Sequence, residues 1–258
     1  PATATGAAPA GVLNFSGSTA IFVGSEQSIK IGNISTSGVA SIKTAQGLFA
    51  SGVGAQDIQS DDLTLEASSG YIGTTAQPFR INLVNNGTLT ARGANDIVIT
   101  EVSGALPVET IYSQQGQVIL TTASGSITDA LQNDLVNIQS YQGITLTAGG
   151  ITSSIGAVDN PFDLDMGDAA TDTLTATAIK GVFLSETDVM RISLVSAVNG
   201  DVVLKVVGSI IDVEACVGDL DIEGNNITLF AGTGVGAIGN ELEINSGRTT
   251  IGSLTVAT

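Results

Sequence analysis

The residues best suited to chemistry in this chain are carboxylates. Glu186 and Asp188 follow one short apolar run, Val182-Phe183-Leu184, and Asp212 and Glu214 follow another, Ser209-Ile210-Ile211. Four hard oxygen donors at matching places suit a hard divalent cation such as calcium, which gathers several oxygens and needs no nitrogen or sulfur ligand. If both runs are strands of adjacent coils, the two pairs stack about 4.8 Å apart, where like charges repel unless a cation intervenes. Two further acidic runs, Asp163/Asp165/Asp168 and Asp219/Asp221/Glu223, offer the same chemistry. Neither a Asp-x-Asp-x-Asp-Gly loop nor a Gly-Gly-x-Gly-x-Asp nonapeptide is present, so a solvated acidic face that keeps the molecule soluble is the competing account.

Other chemistries find less support. The chain contains no histidine, which excludes a Ser-His-Asp triad. A glycosidase needs two carboxylates across a cleft, one held protonated. Pairs such as Asp163/Asp165 and Glu186/Asp188 exist, but no long loop is available to build a cleft around them. We therefore expect a protein that is not an enzyme, with no catalytic residues and no organic cofactor; a carbohydrate-active enzyme or a calcium-stabilised carbohydrate-binding module is the alternative. Cys216 is the only cysteine, so no disulfide can form within the chain, and it reads as a small hydrophobe at a turn. With 25 acidic and 8 basic residues the net charge is −17, which repels nucleic acid. Fifteen of those acids lie from Asp159 onward. No stretch approaches the roughly 18 apolar residues of a membrane span.

These carboxylates must be positioned by something regular, because the chain is a repeat. Ile144-Thr145-Leu146-Thr147-Ala148 alternates strictly and has near copies at Leu63, Leu174 and Ile227, with looser ones at Leu89, Val118, Val202 and Leu254. Seven intervals span the 191 residues from Leu63 to Leu254, a mean of about 27 per coil. Two other strand classes follow each copy. One runs through Ile21, Leu48, Ile72, Ile97, Ile127, Ile155, Val182, Ile210 and Ile238, and the other through Ile31, Ile58, Ile81, Ile111, Ile138, Leu164, Leu194, Ile222 and Ile244. Hydrophobics make up 43% and aromatics 4%, so the core must be built from thin aliphatic layers. The expected fold is all-β: a single right-handed parallel β-helix (β-solenoid) of about nine three-stranded coils, roughly 43 Å long.

Within the first strand class one face should stack Leu63/Leu65, Leu89/Ala91, Val118/Leu120 and Ile144/Leu146 into continuous core columns. The opposite face carries mostly threonine, which suits an exposed strand by shape. A flat threonine array could bind ice or carbohydrate, but the next outward row (Glu66, Arg92, Thr121, Thr147, Thr177, Lys205, Phe230) is mixed, which favours a structural role.

A longer period overlies the coil. Gly125-Ser126-Ile127-Thr128-Asp129 returns as Gly208-Ser209-Ile210-Ile211-Asp212, and Ile72-Gly73 with Gln77-Pro78-Phe79 returns as Ile155-Gly156 with Asn160-Pro161-Phe162. Both offsets are 83 residues, and the chain is expected to consist of about three blocks of 81 to 85 residues, three coils each. Residues 1–10, rich in Pro, Ala and Thr, read as a flexible lead-in, and residues 11–258 as one continuous β-helix. The chain starts at Pro1 and stops in phase with the repeat, as expected of a segment of something longer or of a unit that stacks end to end.

On the strand at Ile144, the Ile155-Gly156…Asn160-Pro161-Phe162 segment and Gly125-Ser126-Ile127-Thr128-Asp129, the chain resembles the repeat regions of filamentous-haemagglutinin-like bacterial surface proteins and related β-helical adhesins. The resemblance implies an extracellular location at the bacterial cell surface. It implies a structural role as a rigid stalk or fibre. The partners would be further copies or further coils of the same polypeptide, or a cell-surface or carbohydrate receptor.

Overall fold

A computed structural model of the chain describes residues 11–17, 19–213, 219–247 and 251–258. Among these residues there are 27 strands and no helix. The strands form two sheets, of 14 and 13 strands, and every strand pairing is parallel. The chain winds from one sheet to the other and back, each turn laying a strand on the one before. The second sheet is eleven rungs deep along its main path, so the coil makes ten turns, about 48 Å at the inter-strand spacing. This is a parallel β-solenoid, as the periodicity predicts.

The sequence pattern also predicts an apolar interior. In Leu63–Ala67, Val118–Thr122, Ile144–Ala148 and Leu174–Ala178 burial alternates residue by residue, with apolar side chains inward except at Thr122. Inward residues from both sheets merge into one aliphatic core from Ile21 to Ala231. Its largest members are Phe79 and Phe162, both fully buried at equivalent places in successive blocks.

The turn length differs from expectation. The register advances by as few as 18 residues (Leu13 onto Ile31) and as many as 30 (Ile144 onto Leu174), about 23 on average rather than 27. The cause is that copies of one strand class do not all stack on each other. Leu89 pairs with Val108 and Ala91 with Ile111, whereas Val118–Thr122 lies in the other sheet, on Ile97–Glu101. The Leu63 and Leu89 copies, with Ala40 below them, are in the 13-stranded sheet; those at Val118, Ile144 and Leu174 are in the 14-stranded sheet; those at Val202, Ile227 and Leu254 are back in the 13-stranded sheet. The class changes faces every three turns.

Three long strands make the change. Ile29–Ser35, Leu106–Ser113 and Met190–Ala197 run unbroken, but each pairs with two short segments in the following turn. Leu106–Ser113 takes Ile127–Asp129 on its first half and Ile138–Ser140 on its second. In the first two blocks the residues between such segments are pushed outward as a loop. Loops therefore project from one sheet in the first block, from the other in the second, and from the first again in the third. This alternation is the structural content of the three-coil repeat.

The second loop of each block is one recurring turn. Gly73, Gly156 and Gly236 all have positive φ (67°, 64° and 66°). Each is followed by the same reciprocal backbone pair: Thr74 with Gln77, Ala157 with Asn160, and Ala237 with Asn240. Glycine is required at the first two by contact as well as by φ, since a Cβ there would sit 2.7 Å from the backbone N of Phe79 or Phe162.

Candidate functional site

Where each loop rejoins the sheet, a carboxyl or amide oxygen takes a backbone N–H from the next turn. Asp57 accepts from Arg80 N (2.9 Å), Asn137 from Asp163 N (2.9 Å) and Asp221 from Glu243 N (2.7 Å). All three side chains are buried. They satisfy a donor that the outward loop would otherwise strand.

The charge at this recurring position changes from block to block. Asp57 is matched by the Arg80 guanidinium, with Nη2 3.1 Å and Nε 3.2 Å away. Asn137 is neutral and donates through Nδ2 to Asp129 Oδ1 at 2.7 Å. In the third block Asp221, Asp212 and Glu243 bring carboxylate oxygens within 4.8 Å of one another. Burial, reinforced by Asp212 and Glu243, pushes the Asp221 carboxyl up to about 6.

A second recurring position holds a buried glutamate at the end of the strand that closes the loop row. Glu101 ends Ile97–Glu101 and Glu186 ends Gly181–Glu186. In Glu101 both oxygens are used: Oε2 accepts from Leu83 N at 3.0 Å and Oε1 from Ser103 N at 3.1 Å. Burial pushes its carboxyl up to about 7. Glu186 is 1% exposed. Its Oε1 accepts from both Met166 N (3.2 Å) and Thr187 N (3.0 Å), while Oε2 has no partner. Burial, with Asp188 and Asp165 adding to it, pushes this carboxyl up to about 8.

Of the four carboxylates expected to form one cation site, the three that are described divide between the two sheets. Glu186 and Asp188 stand together, joined by Asp165 within 4.8 Å. Asp212 belongs to the opposite sheet, with Asp221 and Glu243. Glu214, like Cys216, lies outside the described residues. The face change after every third turn separates Asp212 from Glu186 and Asp188, since equivalent strands of successive blocks no longer share a sheet. Asp165, Asp221 and Glu243 complete the two groups. Asp165 and Asp221 were visible as members of acidic runs, but their partners depend on which turns are neighbours.

At the second face change the loops of the middle block stand beside bare strands of the third. The step is a groove of about 680 Å³ whose lining includes Val136, Pro161, Asp163, Lys205, Val207 and Phe230. Phe230 is 43% exposed on its floor.

The fold thus defines a class, the parallel β-solenoids, and the carboxylate positions are features of its loop rows. The chain matches no protein-family model, no curated protein and no solved structure. Among the described residues no helix is long and apolar enough to cross a membrane.

Proposed function

We propose that the chain is a rigid structural segment, stalk or fibre, of a large secreted bacterial surface adhesin, and that it is not an enzyme. The carrying observation is the unbroken parallel ladder with a single core along ten turns. Such a rod bends little, because each turn is tied to its neighbours by parallel pairing in both sheets. Its buried carboxylates are engaged by backbone N–H groups at loop returns, which suits a role in shaping the coil. The outermost rung, Ser253–Ala257, keeps Leu254 and Val256 half exposed. A further turn, from a second copy stacked end to end or from the same polypeptide, would cover them. Electron microscopy tests the reading: rods about 5 nm long or filaments built from them support it, and compact particles without an axis overturn it.

The groove beside Phe230 favours a second reading as a carbohydrate-binding module, because an exposed ring next to polar side chains suits a sugar face. Glycan-array binding that is lost in Phe230→Ala would establish it; equal signals from both proteins would remove it.

A further inference from the structure

The two buried glutamates offer a comparison inside one molecule. Glu101 and Glu186 occupy the same place in successive blocks, and the neighbours of each can be matched by position. Phe79 corresponds to Phe162, Asn82 to Asp165, Leu83 to Met166, and Ser103 to Asp188. The first site is therefore Asn82, Glu101 and Ser103, with one carboxylate whose oxygens are both hydrogen-bonded. The second is Asp165, Glu186 and Asp188, with three carboxylates. Two neutral residues have become acidic around a buried glutamate, and one glutamate oxygen has lost its donor.

We propose that Asp165, Glu186 and Asp188 bind a hard divalent cation of the calcium class. Two oxygens bound to one calcium at about 2.4 Å lie at most about 4.8 Å apart. The three carboxylates meet that limit. Each keeps an oxygen not occupied by backbone. Asp188 Oδ1 accepts from Val189 N, Asp165 Oδ2 from Gln139 Nε2 (2.7 Å), and Glu186 Oε2 is the orphan. Asp165 Oδ1 has only a long contact, 3.4 Å, from Thr187 Oγ1. A cavity of about 120 Å³ adjoins Asp165, Asp168 and Asp188. That is room for about four waters, which would complete the coordination shell. Asp168 adds negative charge on this side and Arg191 offsets part of it. The cation would join two successive turns, since Asp165 comes from Phe162–Met166 and Glu186 ends the strand paired with it. It would sit just before Met190–Ala197, where the loop row changes sheets.

The test is calorimetric titration of chelator-stripped protein with calcium chloride at neutral pH. One calcium should bind per chain, with a dissociation constant of about 10⁻⁵–10⁻³ M. At about 100 times that constant, melting should rise by several degrees. Asp165→Asn with Asp188→Ser, which copies the first site, should abolish binding while the protein still melts cooperatively. Asp212→Asn with Asp221→Asn should leave binding intact. If the first double variant fails to fold, Glu186→Gln should weaken binding at least tenfold. No saturable binding up to about 10 mM calcium, or binding that survives Asp165→Asn/Asp188→Ser or Glu186→Gln, would overturn the assignment.

Discussion

Glu101 shows how one residue ties stability to pH. Its carboxyl is buried and pushed up to about 7, against about 4.3 in an unfolded chain. Between those values the folded protein holds a proton that the unfolded chain has released. The resulting stability is fully present below about pH 4.3 and is lost as pH rises through about 7. Glu101→Gln removes this dependence. In urea unfolding the variant should gain on the parent by a few kcal/mol between pH 5 and pH 8, and a constant difference would contradict the account. The loop-return residue Asp57 gives a second test. Asp57→Ala strands Arg80 N and leaves the guanidinium, still held by Gly54 O, without its counter-ion, and should cost about 3 kcal/mol. Asp57→Asn installs the residue found at position 137, keeps an acceptor for Arg80 N, and should cost less. Equal losses in denaturant titration would mean that the ion pair, and not the backbone acceptor, carries the effect.

The recurring loop turn sets the limits at the scale of an element. Gly156 combines a φ of 64° with backbone from Phe162 and Phe183 packed where a Cβ would be. Gly156→Ala should cost about 2–4 kcal/mol, the left-handed conformation and the steric overlap adding together. Gly239→Ala shares the positive φ (78°) but meets open space, so it should cost only about 1–2 kcal/mol. Thermal melts of the two variants compare the terms directly. The threonine faces are governed by the same arrangement. Because the strand class changes sheets, the longest outward threonine ladder is Thr100, Thr121, Thr147 and Thr177, broken by Arg80 at one end and Ser196 at the other. An array this narrow suits mutual support between strands better than a broad binding face.

For the whole molecule, a solenoid's stability is a sum over turns and their contacts with neighbours. Hydrogen exchange should grade along the axis: slowest around Ile144–Ala148, where turns lie on both sides, and fastest in Ser253–Ala257, whose side chains are all exposed. Uniform protection would instead indicate all-or-none unfolding. Much of this was legible in the sequence. Alternation within a strand is local, with period two, so the inward set Leu63/Leu65, Ile144/Leu146 and Ile227/Leu229 could be read from residue types alone. The aliphatic core, the parallel coil and the three-coil block follow from that alternation and its recurrence. Which strand lies on which is not local. It depends on the residues consumed in a full turn, so a 19-residue step such as Leu89 onto Val108 moves the next three copies to the opposite face. The carboxylates inherit that displacement. Glu186 and Asp188 were recognisable as a pair by spacing, but only the stacking of turns set Asp165 beside them and sent Asp212 to the other sheet.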